Sequence, residues 1–579
     1  MDQSLDAGCF TVKLAESTQL FSLGTPNRKA LLFWLGPFLF LGLFFFYPLV
    51  AIFRISFTPG YTGLLPTQIA WSELWKPFSF TVVQAAVSTF LTLLVGLPAA
   101  YLFGKVRFPG KAFLRVATML PFILPTVVVA VGFAALLGPT GWLNLVMMWL
   151  FHLTSPPIRF LNTFNAILVA NVFYNTTIII RVLGDAWSRL DPHLEQVAQS
   201  LGANRWRVFW EVTFPALRPV LLAALLLVFI FDFTSFGVIL ILGGPSFQTM
   251  EVAIYIQSLQ FLNLQLAGVL SIIQLLCTLV MTILYSRMGG QSFIPMAIGD
   301  RQRNERILNN AWEKVAAGVY LVFLSFLLIA PLLALVTRSL VDFNASAGGR
   351  ITLAFYQELF VNRQESLFYV PPIMAARNSL IFASATVLIS LVLGFLASYA
   401  LRQRAIINRV MDPLLMLPLG TSPVTLGLGF IVAFSAPSFD LRTQPVLLPI
   451  AYSLVALPFV VRTLLPALAS IPEHLRQSAS VLGASPLRVW LEVDMPIVAR
   501  AAVVSATFAF TIALGEFGAT SLLARPEYPT LPIAIYRYLS LPGARNYGQA
   551  LAMSTLLLLV CAAGIVLIEC IRFPGERSG

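Results

Sequence analysis

A charged, polar segment occurs twice in this chain. The first copy runs from His193 to Pro215 and the second from His474 to Pro496, each residue of the second lying 281 positions after its counterpart. The copies share a glycine, an arginine, a glutamate and a closing proline, at Gly202 and Gly483, Arg207 and Arg488, Glu211 and Glu492, and Pro215 and Pro496. A long polar segment in an apolar chain must lie outside the lipid, where it is free to meet a soluble partner.

The sequence offers little for catalysis, metal binding or nucleotide hydrolysis. Its three histidines are His152, His193 and His474, and they assemble no catalytic or metal cluster by spacing. The sequence has no Gly-x-x-x-x-Gly-Lys-Ser/Thr phosphate loop, because Gly104-Lys105 and Gly110-Lys111 lack the glycine spacing and the following hydroxyl. We therefore expect no enzyme, no metal site and no bound ATP in this chain.

Two carboxylates fall inside apolar stretches, Asp232 near the middle of one and Glu516 within another. A charge at such depth is costly, which makes both residues candidates for a translocation pathway. The two carboxylates are not at equivalent positions of the repeat, since Ser235 aligns with Glu516. Two interpretations stay open. Asp232, Ser235 and Glu516 line a path for a cation, or each carboxylate bonds a neighbouring hydroxyl or arginine.

Composition indicates an all-α polytopic membrane protein. The chain is 58% hydrophobic and 11% charged, whereas soluble domains carry about 25% charge. About 20 apolar residues cross a hydrocarbon core, and the alternation of a membrane barrel is absent. Twelve spans are predicted, at 31–57, 81–104, 116–138, 164–184, 220–242, 266–288, 315–339, 377–401, 410–434, 446–467, 501–523 and 549–571.

The positive charges indicate an orientation. With the N-terminus in the cytoplasm, the cytoplasmic segments hold 26 of the 37 Lys and Arg residues, as the preference of these residues for the inner side requires. Both termini and both polar segments are then cytoplasmic. The net charge of +12 therefore reflects the membrane, with lipid as a partner, and no nucleic acid is expected.

The repeat extends well beyond the polar segments. Gly96–Tyr101 matches Gly394–Tyr399, and Phe236-Gly237 matches Phe517-Gly518. Each half has six predicted spans, as in parallel repeats. The offset between matched residues of the two halves falls by 16 along the chain. This places an insertion of 16 residues in the first half, within 139–160. The expected domains are an N-terminal tail (1–30), a first half (31–288), a polar linker (289–312), a second half (313–573) and a C-terminal tail (574–579).

Each polar segment is predicted to form two short helices joined at a Gly-Ala turn. Asp191 and Pro192 start the first helix, glycine permits a positive φ at the turn, and Pro215 and Pro496 close the motif before the next span. Apolar residues recur at helical spacing on both sides of Gly202. This amphipathic elbow can dock in a groove of another protein or lie on lipid headgroups, and two matched copies favour docking.

The elbow resembles the Glu-Ala-Ala loop of bacterial ABC importer permeases. The aligned residues are Gln196, Ala198, Gly202, Ala203 and Pro215, and Gln477, Ala479, Gly483, Ala484 and Pro496. Both copies carry Gln where the family has Glu. The resemblance implies two tandem six-helix type I permease domains in the bacterial inner membrane. It further implies two copies of an ATPase subunit, which hold ATP and Mg²⁺, and an external solute-binding protein.

Twelve helices in two parallel halves also describe the major facilitator type of secondary transporter. That family is expected to carry an Asp-Arg-Gly-Arg-type motif between its second and third spans, and the equivalent loop here, 105–111, has no carboxylate. The ABC permease interpretation is therefore favoured. For the cargo, Phe233–Gly237 with Glu251–Tyr255 resembles thiamine permeases, and Leu514–Ala519 resembles thiamine and ferric-iron permeases. Thiamine is favoured and ferric iron is second.

Overall fold

The computed structural model describes residues 28–58, 70–288, 305–342, 350–361, 371–403, 407–435, 441 and 444–572. Within these residues, eleven helices are long and apolar enough to cross a membrane, or twelve if one bent helix pair is counted as a span. This confirms the predicted all-α polytopic class. Most of the predicted N-terminal tail and linker, and the whole C-terminal tail (574–579), lie outside the described residues, and the domain bounds stay predictions.

The elements of the first half follow in chain order. They are α1 (Arg28–Leu41), a π-helical segment (Gly42–Phe46), α2 (Tyr47–Phe57), α3 (Trp71–Lys105), β1 (Val106–Arg107), α4 (Lys111–Ala117), α5 (Leu120–Ile123), α6 (Thr126–Leu137), α7 (Trp142–Phe151), α8 (Phe164–Arg189), α9 (Pro192–Ser200), α10 (Arg205–Val208), a π-helical segment (Phe209–Thr213), α11 (Phe214–Phe233), α12 (Gly237–Leu242), α13 (Met250–Leu259) and α14 (Leu264–Arg287).

The second half repeats this order after a short strand. Its elements are β2 (Arg306–Ile307), α15 (Ala311–Ser339), β3 (Val341–Asp342), β4 (Arg350–Ile351), α16 (Ala354–Gln357), a 3₁₀ turn (Glu358–Phe360), α17 (Pro372–Arg402), α18 (Asn408–Met416), a 3₁₀ turn (Leu417–Gly420), α19 (Pro423–Ala433), α20 (Leu447–Ala469), α21 (Glu473–Val481), α22 (Pro486–Val489), a π-helical segment (Trp490–Asp494), α23 (Met495–Gly515), α24 (Gly518–Leu523), α25 (Leu531–Ser540) and α26 (Ala544–Arg572). Strands β1 and β2 pair in parallel, and β3 and β4 pair antiparallel.

Several predicted spans are broken helices. The span predicted at 220–242 ends as α11 at Phe233 and resumes as α12, and the span predicted at 501–523 breaks after Gly515. The ninth span, 410–434, consists of two helical pieces bent by 98°. Hydropathy alone misses these breaks because the polar residues at them, Asp232, Thr234, Ser235 and Glu516, are flanked by long apolar runs. Irregular backbone at such depth is tolerated where it is buried in protein.

The predicted insertion in the first half corresponds to an additional helix, α7. It lies between α6 and α8, within the region 139–160, and the buried Asn144 anchors it. The Asn144 amide donates to the carbonyl oxygen of Gly138 at 2.8 Å and to that of Ile158 at 2.9 Å. Its side-chain oxygen accepts the Ile158 N–H at 2.8 Å. These bonds satisfy backbone groups that a loop would otherwise leave buried and unpaired.

The first helix of each half packs on the opposite half. Helix α2 of the first half packs on α19 of the second half, and α15 of the second half packs on α6 of the first half. Matched glycines make both contacts, because a Cβ added at Gly132 would lie 2.9 Å from the carbonyl oxygen of Pro331, and one added at Gly429 would lie 2.9 Å from the Cβ of Pro48. Trp34 also donates to the Asn408 side chain at 2.9 Å. The two halves are therefore interlocked.

This packing makes a testable prediction. Replacing Gly132 and Gly429 by alanine should lower the thermal stability of the permease in detergent by about 1–3 kcal/mol per site, because the added methyl groups overpack the contact between halves. Gly318→Ala is the control, since an added Cβ meets no atom within 4 Å there. Melting curves measured by size-exclusion chromatography check the effect, and identical curves for the double variant and the control would contradict it.

Candidate functional site

The first helix of the first elbow begins as its sequence predicts, and the first helices of both elbows end as predicted. The Asp191 side chain caps α9 by accepting the His193 N–H at 2.9 Å, with Pro192 in the first turn. The helix ends at Gly202, whose φ is +87°, and Gly483 has φ +83° at the same point of the second elbow. Only glycine adopts this backbone readily, so the predicted Gly-Ala turn is confirmed.

Each turn has the hydrogen bonds of a Schellman motif. The Ala203 N–H donates to the Ala198 carbonyl at 3.1 Å, and the Ala484 N–H donates to the Ala479 carbonyl at 3.0 Å. The glycine N–H donates one turn back in both copies, to Gln199 at 2.9 Å and to Ser480 at 3.0 Å. The carbonyls at the helix end are thereby satisfied, and the turn holds a defined angle.

The second part of each elbow is joined to a membrane helix without a break. We expected Pro215 and Pro496 to close the motif, but each instead occupies the first turn of a long helix, α11 or α23. The backbone is π-helical just before the proline, with the Phe214 N–H bonded to the Phe209 carbonyl in the first copy, and this irregularity accommodates a residue without an N–H. A π-helical segment precedes it, and the helix continues from the elbow into the apolar span. A movement of the elbow therefore reaches that span directly.

Both elbows expose apolar side chains at matched positions. Leu201 and Leu482 are 82% and 87% exposed, and Trp206 and Leu487 are 70% and 68% exposed. Leu194 and Leu475 are exposed as well, whereas Val208 and Val489 of the second short helix are buried. After the glycine, the two valines therefore pack in the chain's own interior, whereas Trp206 and Leu487 lie on the outer surface. Exposed apolar surface of this kind marks an interaction site.

Polar residues of the predicted site flank this surface. Gln196 and Gln477 are exposed in both elbows. Arg207 pairs with Glu211 at 2.9 Å, and Arg488 pairs with Glu492 at 2.8 Å, all four side chains being at least 60% exposed. Exposed pairs of this kind stabilise a helix by less than about 1 kcal/mol. They leave charged groups available to a partner.

A polar network ties the second elbow to α17, which ends nearby at Arg402. Arg476 of α21 forms a salt bridge with Asp494 at 2.6 Å, and the other Asp494 oxygen accepts the Tyr399 hydroxyl at 2.6 Å. Both charges are largely buried, with side chains 11% and 4% exposed. Arg402 adds a salt bridge to Glu473 at 2.8 Å.

The first elbow makes the same connection with different residues. Glu195 stands where Arg476 does, forming a salt bridge with Lys105 at 3.5 Å and accepting the Thr213 hydroxyl at 3.2 Å. Lys105 is the last residue of α3, the counterpart of α17. The first elbow thus keeps the contact with its membrane helix, although Glu195 is negative where Arg476 of the second elbow is positive.

The candidate pathway residues lie at helix breaks. Asp232 is in the last turn of α11 rather than mid-span, and it accepts the Asn175 amide at 2.8 Å. Ser235 follows the break and donates to the Asn171 side chain at 3.3 Å. Glu516 lies between α23 and α24, where it accepts the N–H groups of Ala519 at 3.0 Å and Thr520 at 3.1 Å. The described structure gives Asp232 and Glu516 no common hydrogen-bond partner.

Another buried carboxylate, Glu251, was not selected as a site residue from the sequence. It lies in the first turn of α13 and is fully buried. Gln274 donates to one of its oxygens at 2.5 Å, and Ser422 of the opposite half donates to the other at 2.5 Å. A lone glutamate before the apolar run 252–256 was the available signal. Only the fold reveals its contact across the halves.

Aromatic residues from both halves meet next to these breaks. Phe236 stacks on Phe517 with ring centroids 5.4 Å apart, and these are matched positions of the repeat. Tyr255 packs on Phe236 at 5.5 Å, and its matched residue Tyr536 packs on Phe517 at 5.6 Å. Equivalent residues facing each other are typical of a two-fold arrangement. We refer to these four residues as the central aromatic cluster.

The fold and the paired elbows define a polytopic membrane transport protein built from two homologous halves. The chain belongs to the family of binding-protein-dependent transport system inner membrane components, which matches residues 92–290 and 390–571. One match falls in each half, so the chain is a fused two-half permease of an ABC importer, and this family is not a family of enzymes.

Relatives with this family's organisation cover most of the chain. The thiamine transport system permease protein ThiP of Escherichia coli (strain K12) is 27% identical over 527 residues, 87% of this chain and 90% of the relative. ThiP of Brucella abortus (strain 2308) is 26% identical over 506 residues, 86% and 87% respectively. A probable ABC transporter permease, y4fN of Sinorhizobium fredii, is 27% identical over 480 residues, 80% and 81%.

Solved structures are similar over a smaller part of the chain. A chain from the crystal structure of a bacterial ABC transporter involved in the import of the acidic polysaccharide alginate matches with a TM-score of 0.40 and 19% identity. The match covers 45% of this chain and 96% of that chain.

Proposed function

We propose that this chain is the permease of an ATP-driven thiamine importer, with one ATPase subunit docked on each elbow. The observation that carries the proposal is the pair of elbows, which expose apolar residues at matched positions and continue into α11 and α23. ATP and Mg²⁺ belong to the two ATPase subunits. The similarity to thiamine permeases supports thiamine as the cargo.

The elbows are cytoplasmic in this proposal, and so are both termini, in a bacterial inner membrane. The concentration of Lys and Arg in the same set of loops supports this orientation. The opposite face would then receive thiamine from a solute-binding protein. Closure of the two ATPases on ATP would move the elbows together, and the membrane helices would rock around a site between the halves.

The central aromatic cluster is the proposed constriction of the pathway. Phe236 and Phe517 come from opposite halves and are almost fully buried, so separation of the halves parts their stacked rings. We expect the double variant Phe236→Ala and Phe517→Ala to leak, with cargo crossing the membrane at least tenfold faster in the absence of ATP. Proteoliposome flux with labelled thiamine measures the leak.

A matched control comes from another stacked pair. Phe53 and Phe57 stack at 6.5 Å but are exposed on the surface of α2, so their alanine variants should remain as tight as the natural protein. Equal fluxes through the Phe236/Phe517 variant and this control would remove the cluster from the pathway.

The cargo is tested by uptake with the complete system, comprising permease, ATPases and binding protein. Labelled thiamine should accumulate only with ATP, and excess unlabelled thiamine should suppress the signal while ferric iron does not. Accumulation of ferric iron in place of thiamine would overturn the substrate assignment and leave the permease assignment standing.

A further inference from the structure

The first half contains a buried polar cluster that the proposed transport cycle does not use. It lies where α3, α8 and α11 pack together. Each member has more than nine tenths of its surface buried. The members are Gln84, Ser88, Thr92, Asn171, Asn175 and Asp232. The cluster is inside one half, and Asp232 lies four residues before Phe236 of the central aromatic cluster.

Several polar atoms of this cluster have no partner among the described residues. One oxygen of Asp232 accepts the Asn175 amide, but the other is buried and unpaired. The hydroxyls of Ser88 and Thr89 face this carboxylate, yet neither makes an aligned hydrogen bond. Both polar atoms of Gln84 are unpaired as well. Buried polar groups are normally satisfied, so a buried carboxylate oxygen left unpaired beside two unpaired hydroxyls indicates a missing ligand.

The free hydroxyls contrast with others in the same fold. Buried Ser and Thr residues of a helix commonly bond the carbonyl one turn back, as Thr176 does to Val172 at 2.6 Å. Thr386, which occupies the position of Ser88 in the second half, bonds Phe382 at 2.8 Å. The hydroxyls of Ser88, Thr89 and Thr92 make no such bond, which leaves their oxygens available.

The second half lacks the cluster. The positions that match Gln84, Ser88, Thr89, Asn171, Asn175 and Asp232 hold Phe382, Thr386, Val387, Tyr452, Ala456 and Ala513, and only the match of Thr92, Ser390, keeps a buried unpaired hydroxyl. The same helix packing is therefore built without a carboxylate. A buried charge that packing does not require is expensive unless something compensates it.

We propose that the first-half cluster binds one monovalent inorganic cation of the sodium class. The available ligands are carboxylate, hydroxyl and amide oxygens, which suit a hard cation, and a single carboxylate balances a single positive charge. In the described chain no Lys or Arg side chain forms a salt bridge with Asp232. Asp232 also lies in the last turn of α11, where the partial negative charge of the helix end favours a cation. The site does not depend on the identity of the cargo.

Direct binding of ²²Na⁺ to the full chain in lipid nanodiscs tests this site. The natural protein should bind about one Na⁺ per chain, displaced by unlabelled Na⁺ and not by N-methylglucamine. Asp232→Asn should weaken binding at least tenfold, whereas Asp412→Asn, which changes a carboxylate on α18 of the other half, should leave it unchanged.

Ser88→Ala and Thr89→Val provide a second route that keeps the buried charge. Each removes one hydroxyl ligand and should weaken Na⁺ binding several-fold even if Asp232→Asn fails to fold. The absence of saturable ²²Na⁺ binding in the natural protein, or unchanged affinity in all three variants, would overturn the site. Neither result would affect the ATPase-docking proposal, which nucleotide-driven uptake tests separately.

Discussion

Replacing Gly202 and Gly483 together by proline is expected to abolish ATP-driven uptake and co-purification of the ATPase. Proline fixes φ near −65° and removes the N–H, whereas these residues have φ of +87° and +83° and donate to Gln199 and Ser480. The conflict costs about 3 kcal/mol or more at each turn. That corresponds to at least about 100-fold weaker docking. Uptake in proteoliposomes and affinity capture of the ATPase measure the effect.

The matched control replaces both glycines by asparagine, which tolerates positive φ better than other residues with a side chain. No atom lies within 4 Å of an added Cβ at either glycine, so the asparagine variant should retain most of the uptake. Gly202 and Gly483 lie before the apolar spans Trp206–Phe233 and Pro486–Gly515, so both variants should insert normally. A proline variant that captures ATPase and transports at the natural rate would refute the docking role of the elbows.

Arg476→Leu is expected to have the second largest effect. It leaves the Asp494 carboxylate buried without its cation, which costs about 3–5 kcal/mol in measured cases. Helix α21 would also lose its bond to Asp494, and with it the connection through Asp494 to Tyr399 of α17, so force from the ATPase would reach fewer membrane helices. We expect a lower melting temperature together with ATP hydrolysis that no longer drives uptake, measured in the same reconstituted complex.

The first half supplies a rescue for this defect. Its equivalent network uses Lys105, Glu195 and Thr213, at the positions of Gln403, Arg476 and Asp494. A triple variant, Gln403→Lys with Arg476→Glu and Asp494→Thr, should therefore restore much of the coupling that Arg476→Leu removes. If the triple variant is as uncoupled as Arg476→Leu, the network acts through the particular side chains and not through the connection between elbow and membrane helix.

Features set by local sequence were predicted well. The repeat located both elbows, their turns and the extra helix of the first half, because Gly, Pro and Asp impose local backbone geometry and a fixed offset reports duplication. The same offset paired Phe236 with Phe517, which then proved to be in contact. The Glu516 carboxylate accepts the neighbouring Thr520 hydroxyl at 2.7 Å, which is the kind of bond that the local alternative describes.

Features that depend on contacts between distant segments were missed. The breaks after Phe233 and Gly515 are invisible to hydropathy, because apolar residues surround them and buried side chains satisfy the freed backbone. Glu251 could not be singled out because its partner Ser422 lies 171 residues away. The exchange of first helices between halves rests on Gly132 and Gly429, whose role depends on prolines of the other half.

The most direct test of the central claim is uptake of labelled thiamine by the reconstituted complex, with Na⁺ equal on both sides of the membrane. Permease, ATPase and binding protein together should accumulate thiamine with ATP and Mg²⁺, and omission of the ATPase should reduce accumulation to background. Accumulation driven by an imposed proton or Na⁺ gradient, with neither nucleotide nor ATPase present, would contradict the account.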